Sequence, residues 1–340
     1  MSIEEDISAP AVEQARPRIF TFIEFGKSAQ ATLKPWSDIV IGPIKDTPDW
    51  YEEAATYDAM VVGSTFMTGQ LMDRIGPRLK VISRTGIGVD RVDLAAATER
   101  GIMVVNTPDG PTESTAEHAI ALMLALTKGV VTSDRLTHAG QGYSPYGSLP
   151  HGLEALGATL GLVGLGRIGK RVAEIAGVLG MKVLAYDPFI SPQQAVTLGV
   201  ILVDDLPTLL RQAQVVSMHC PAISETYRLI NRERLAMMQP GAFLVNVSRG
   251  SLIDEGDLLK ALDSGHLRGA GLDVYDPEPP DPTNPLLTHP QTICTSHIGS
   301  YTSAGVLRMQ EMACQQVAIA LQGERPTNLV NTEVWGKHRI

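Results

Sequence analysis

With 340 residues, 44% of them hydrophobic and 19% charged, the chain has the composition of a folded protein long enough for two cores. Its 37 acidic and 28 basic side chains leave a formal net charge of −9, which excludes a global basic field for nucleic acid or an anionic membrane. Three widely spaced cysteines, Cys220, Cys294 and Cys314, exclude a disulfide framework or structural zinc site and point to a reducing, cytoplasmic setting.

The first residues, "MSIEEDISAPAVEQARPR", are acidic and polar, lack the basic start and apolar centre of a signal peptide, and read as a frayed lead-in. The longest apolar stretch, "AIALMLAL", falls far short of the roughly 20 residues that span a bilayer. From there, "RIFTFI", "DIVIG", "AMVVG", "KVISRTG" and "IMVVNTP" predict strands, with "TGQLMDRIG" and "VDLAAATERG" as helices between them. The second of these ends at a Gly101 cap. "STAEHAIALMLALTKG" predicts a long helix with Ser114 or Thr115 as N-cap and Glu117 in its first turn. The Gly-, Pro- and Ser-rich stretch 141–156 breaks the rhythm and reads as an excursion or an oligomer-contact arm. Strands and helices then alternate again to a last helix, "AGVLRMQEMACQQVAIALQG". The alternation predicts an α/β protein of two Rossmann-like or flavodoxin-like domains with parallel sheets.

In "TLGLVGLGRIGKRVAEIAGVLGMKVLAYDP", Gly164, Gly166 and Gly169 form a GxGxxG loop between a strand and a helix. The first glycine permits the turn, the second lets a diphosphate reach backbone N–H groups, and the third lets helix and strand pack closely. The helix N-terminus adds partial positive charge. Asp187, 18 residues past Gly169 at the end of the next strand, is placed to accept the adenosine ribose hydroxyls. Its carboxylate repels a 2′-phosphate and no Lys or Arg follows in "DPFI", which favours NAD over NADP.

Three polar residues follow later strands: Arg249 after "FLVNVS", Glu278 after "GLDVYDP" and His297 after "TICTS". Singly, each has an ordinary explanation: a solvated ion-pair partner, an exposed loop acid, a satisfied core imidazole. Ligands of an open parallel sheet bind at the carboxyl ends of its strands, so the three share a rim with the glycine loop. Hydride transfer to a 2-keto acid leaves an oxygen that must be protonated. His297 suits that task, since an unperturbed imidazole has a pKa of roughly 6.5. Glu278 would orient the ring, and the Arg249 fork would grip the substrate carboxylate. Gly250 is expected to keep the space beside the fork free.

The motif series "SRTGIGVD", "GLGRIG…YDP", "CPAISETYRLINRERL", "NVSRGSLIDEGDLL", "GAGLDVYDPEPP" and "SHIGS" resembles the D-isomer-specific 2-hydroxyacid dehydrogenase family from about Arg18 to Asn328. The resemblance implies that Arg249, Glu278 and His297 are the catalytic set. It implies cofactor contacts at Arg167, Ile168, Asp187, Cys220, Pro221, Thr226, Val247, Ser248, Asp273 (near the nicotinamide carboxamide), Thr115 and Gly299. It further implies a discontinuous substrate domain of residues 1–111 and 299–340, an NAD-binding domain of residues 112–298, a cleft between them as the active site, and a homodimer. Within the family "SRTGIGVD" is most similar to the phosphoglycerate dehydrogenase loop. Arg84 then suits a substrate phosphate, and Thr85, Gly86, Ile87 and Gly88 form a loop whose amides meet the carboxylate. The family's long carboxy-terminal regulatory domain is expected to be absent. Ser296 stands where proline is usual, and "CPAIS" replaces the common Leu-Thr, so the substrate side chain stays open. The expected activity is NAD-dependent oxidoreduction of a small 2-hydroxy or 2-keto acid, with no metal. A 3-phosphoglycerate-like substrate leads; glyoxylate or hydroxypyruvate reduction and a non-catalytic NADH-sensing corepressor-like role are the alternatives.

Overall fold

The computed structural model describes residues 15–141 and 151–339. Most of the expected lead-in and residues 142–150 of the expected arm lie outside the described residues. The chain divides into two compact units, residues 1–108 with 307–340 and residues 109–306. The second crossing falls inside the helix Ser303–Leu321.

The first unit holds five parallel strands, β1 (Arg18–Thr21), β2 (Asp38–Ile41), β3 (Ala59–Val62), β4 (Val81–Arg84) and β5 (Met103–Asn106), in the order β2-β1-β3-β4-β5. Continuous apolar strands suit this layout because both sheet faces are covered. In β3, Ala59 and Val61 enter one core with Phe25, Leu33 and Val317, while Met60 and Val62 enter the other with Trp50 and Tyr57.

The second unit carries seven parallel strands. These are β6 (Thr159–Val163), β7 (Lys182–Tyr186), β8 (Ile201–Leu202), β9 (Val215–Met218), β10 (Ala242–Asn246), β11 (Leu267–Leu272) and β12 (Thr292–Cys294). Their order is β12-β11-β10-β9-β6-β7-β8, so the winding direction switches between β6 and β9. Such a switch point opens a crevice at the carboxyl ends of the strands. The two-residue edge strand β8 has no sequence signature of its own. The long helix begins at Thr112 rather than at Ser114 or Thr115, with Glu113 in its first turn. Ser114 and Thr115 are buried, and the Ser114 hydroxyl is engaged 2.7 Å from Thr302 Oγ1, so tertiary packing takes the group that would have capped.

Candidate active site

The glycine loop follows β6 at the switch point. Gly164 has a φ of +99°, and a Cβ there would lie 2.7 Å from the Cys220 nitrogen and 2.9 Å from the His219 carbonyl oxygen. A Cβ on Gly169 would press into Gly164, 3.2 Å from its carbonyl carbon. Around Gly166, by contrast, added bulk would meet nothing within 4 Å. The helix Arg167–Val178 starts there with no side-chain cap and no acid in its first turn. Open space beside uncapped N–H groups fits the diphosphate of a dinucleotide. Asp187 lies over the same loop: its Oδ2 accepts from the Leu165 N–H (2.7 Å) and its Oδ1 from the Phe189 N–H (2.9 Å). Arg167 reaches away from its helix and pairs with Asp109 Oδ1 at 2.6 Å.

Beneath this loop the second strand of the crevice delivers His219 and Cys220. His219 is half-buried with its Nδ1 atom shielded from solvent; Nε2 lies 2.9 Å from Ser217 Oγ and Nδ1 has no partner among the described residues. Burial pushes its pKa down to about 4. Folded His219 therefore stays neutral while the unfolded chain binds a proton near pH 6.5, so stability is lost as pH falls from 6.5 towards 4. The full contribution is about 3 kcal/mol. His219→Asn should flatten the change in unfolding free energy between pH 7 and pH 4.5; an unchanged slope would refute the assignment. Burial likewise raises the Cys220 thiol to about 11, which makes it a poor nucleophile.

Residues expected to touch a cofactor also hold the neighbouring loops together. Ser248 Oγ donates to the Cys220 carbonyl at 2.6 Å. Thr226 Oγ1 donates to the Pro221 carbonyl (2.7 Å) and accepts from the Ile223 N–H (2.9 Å), closing the turn after Cys220. Val247 is buried, and Ile168 is half-buried at the start of the dinucleotide helix.

Because β10, β11 and β12 are adjacent and parallel, Arg249, Glu278 and His297 emerge on the same carboxyl edge. The Glu278 carboxylate is hydrogen-bonded to His297 Nδ1. That bond leaves Nε2 as the ring atom available for proton transfer. His297 has a φ of +54°, a left-handed conformation that is uncommon for any residue other than glycine. Asp273 holds it. Its carbonyl accepts from the His297 N–H (2.8 Å), Oδ1 from Ile298 N–H (2.9 Å) and Oδ2 from Gly299 N–H (2.8 Å). Burial alone would raise the Asp273 carboxyl, but hydrogen bonds from His118, Thr295, Ile298 and Gly299 outweigh it and hold the pKa below the usual range. Thr115 lies against Gly299, whose added Cβ would be 3.4 Å from Thr115 Cγ2.

Arg249 is half-buried, and its Nη1 donates to the Ser248 carbonyl at 2.7 Å. The expectation for Gly250 needs correction. The space left by its missing side chain is filled by the Tyr275 backbone, whose Cα would lie 2.5 Å from an added Cβ. Gly250 therefore permits the Arg249 loop to pack on the segment leading to Glu278, and does not leave a vacancy for substrate.

Spacing also gave no sign of three supporting residues. Buried Asn246 donates to the Arg249 carbonyl (2.8 Å) and accepts from the Ser248 N–H (3.0 Å). Glu255 accepts from the Asp276 N–H and from Asn284 Nδ2, and so anchors both ends of the Glu278 loop. His118 lies against Asp273. The one available signal was a polar residue, Asn246, closing an otherwise apolar strand.

In the first unit, Arg84 ends β4 and its guanidinium lies over Gly86, whose φ is +133°. Thr85 and Gly86 are already engaged. Thr85 N–H donates to the Val62 carbonyl and Gly86 N–H to Thr107 Oγ1, the latter at 2.6 Å. Ile87 and Gly88 follow, and the Ile87 carbonyl accepts from Asn106 Nδ2. Among the described residues no cluster of His, Cys, Asp or Glu could hold a metal, and no helix is long and apolar enough to cross a membrane.

The chain is similar to proteins of known family. The profile of the D-isomer specific 2-hydroxyacid dehydrogenase NAD-binding domain matches residues 120–299. A D-3-phosphoglycerate dehydrogenase of Archaeoglobus fulgidus is 40% identical over 279 residues, 82% of this chain and 52% of that protein. The chain thus spans about half the length of that relative. A glyoxylate reductase of Thermofilum pendens is 37% identical over 328 residues, 94% of this chain and 96% of that protein. The solved TT0316 protein of Thermus thermophilus superposes with a TM-score of 0.83 at 38% identity, covering 92% of this chain and 99% of that one. An NADPH-dependent glyoxylate/hydroxypyruvate reductase of Sinorhizobium meliloti, solved with NADP and malonate, gives 0.80 at 27% identity, covering 93% and 98%.

Proposed function

The chain belongs to the D-isomer-specific 2-hydroxyacid dehydrogenase family, and from that premise we propose that it moves a hydride between NAD(H) and a D-2-hydroxy or 2-keto acid. The observation that carries this reading is the bonded His297–Glu278 pair on the edge of the sheet that also bears the glycine loop. The dinucleotide, when bound, supplies or accepts the hydride. His297 gives its Nε2 proton to the carbonyl oxygen in reduction and takes the hydroxyl proton in oxidation. Glu278 fixes the ring and balances its charge. Arg249 binds the substrate carboxylate with two parallel N–H donors and polarises the adjoining carbonyl.

The second unit serves the cofactor in this reading and the first serves the substrate. Asp187 favours NAD, since a 2′-phosphate would face a carboxylate; the NADP-bound Sinorhizobium relative makes the comparison of NADH with NADPH a needed control. The three cysteines are free thiols, in keeping with a cytoplasmic setting, and a homodimer remains part of the proposal.

Arg84 supports a phosphate-bearing, 3-phosphoglycerate-like substrate. The near end-to-end match to a glyoxylate reductase supports glyoxylate or hydroxypyruvate as the second reading. A panel of 2-keto acids with NADH and NADPH, followed by absorbance loss, decides between them. Arg84→Ala should lower kcat/KM for phosphohydroxypyruvate roughly 10- to 100-fold, the worth of a charge-assisted contact, and leave glyoxylate within a few-fold. Equal small effects on every substrate would discard the phosphate reading. Tight NADH binding without oxidation by any 2-keto acid would favour the non-catalytic role.

A further inference from the structure

We propose that His118, on the helix Thr112–Lys128, is a positioning residue that sets the conformation of the His297 loop through Thr295 and Asp273. The inference rests on the reading of His297 as the proton carrier, but its geometry stands independently of any substrate.

Hydrogen-bond bookkeeping fixes the direction of the chain. The Thr295 hydroxyl donates to Asp273 Oδ1 at 2.6 Å, so its oxygen is an acceptor for His118 Nε2, 3.0 Å away. The same Nε2 lies 3.3 Å from Asp273 Oδ1. His118 therefore carries its proton on Nε2 and shares it between hydroxyl and carboxylate. Asp273 is 1% exposed and cannot rely on water for its charge. With the imidazole and hydroxyl on one side, the carboxylate faces the Ile298 and Gly299 amides on the other, while its own carbonyl takes the His297 amide. Three successive N–H groups are thus bound by one residue. That arrangement holds His297 in its left-handed conformation, which costs an unsupported imidazole residue about 1 kcal/mol or more.

Packing adds a second contact. Gly299 sits so close to the helix that an added Cβ would be 3.0 Å from Asp273 Oδ2 and 3.7 Å from His118 Cδ2. The loop thus passes close to His118 as well as being bonded through it. Among the described residues His118 bonds to neither the expected substrate fork nor the glycine loop, so removing it should disturb the placement of His297 more than cofactor affinity.

The test uses the whole chain with His118→Phe, which keeps a ring but no donor, and His118→Gln, whose terminal amide can reach the Nε2 position. His118→Ala replaces the phenylalanine variant if that one misfolds. His118→Phe is expected to lower kcat roughly 10-fold or more with the Kd for NADH within about 3-fold. Amides of residues 297–299 should exchange hydrogen about 10-fold faster. His118→Gln should recover most of both. Unchanged turnover together with unchanged exchange overturns the proposal. So does equal damage in both variants accompanied by weakened NADH binding, which would make His118 a packing residue only. If the wild-type chain reduces none of the 2-keto acids, the exchange measurement still decides: faster exchange in His118→Phe that returns towards the wild-type rate in His118→Gln supports the tether, and identical exchange in all variants refutes it.

Discussion

Replacing His297 by alanine should lower turnover about 100-fold or more while NADH binding persists. The ring is hydrogen-bonded to Glu278 at the carboxyl edge of the sheet, and its other nitrogen can pass a proton to or from a substrate oxygen. Alanine alone is an imperfect test, because His297 has a φ of +54° and a Cβ without a polar side chain is disfavoured there. Asparagine tolerates that conformation and carries no titratable proton. Both variants should therefore fall to a similar low rate, with the asparagine protein keeping the wild-type melting temperature. The measurement is steady-state turnover beside NADH fluorescence titration. An asparagine variant within about 3-fold of wild type would remove His297 from proton transfer, and a loss confined to alanine would assign the defect to backbone strain.

What was legible in the chain was local. "GLGRIG" is readable because its glycines, its helix start and Asp187 act within one strand–helix–strand unit, where spacing maps directly onto geometry. Arg249, Glu278 and His297 are readable one step less directly: parallel strands deliver all their ends to one edge, so three residues far apart in sequence share a rim. What holds those residues was not legible. His118 meets Asp273 only because a helix crosses the sheet face, and nothing in "AEHAI" distinguishes a tether from an ordinary interior imidazole. Gly250 escapes a sequence reading for the same reason, since its neighbour Tyr275 lies in the loop after another strand and its missing side chain could not be assigned to backbone or to substrate from sequence. Ser114 shows the complementary error: a sound capping rule lost to a tertiary partner, Thr302.

Gly250→Ala should be among the most damaging single-methyl additions in the protein. A Cβ would come within 2.5 Å of the Tyr275 Cα and closer still to its carbonyl group, so backbone must move. Neither side can yield cheaply. Tyr275 is fixed by its hydroxyl, which donates to the Thr295 carbonyl at 2.9 Å, and the next residue by the Asp276 N–H bond to Glu255 at 3.0 Å. On the other side Asn246 holds the Arg249 carbonyl at 2.8 Å. The forced separation would part the loop bearing Arg249 from the loop bearing Glu278. Overpacking at a site with so little freedom costs about 3 kcal/mol, which lowers the melting temperature of a unit of this size by roughly 6–12 °C. Activity should fall further than stability if, as proposed, both loops supply groups to the same reaction. Gly177→Ala is the matched control: it lies in the dinucleotide helix, exposed, with nothing within 4 Å of an added Cβ. There the extra methyl should be neutral or stabilise by up to about 1 kcal/mol. Thermal unfolding and turnover measured on the two variants side by side separate the cases. A Gly250→Ala protein that melts and turns over like wild type would show that the two loops are not locked together as their contacts require.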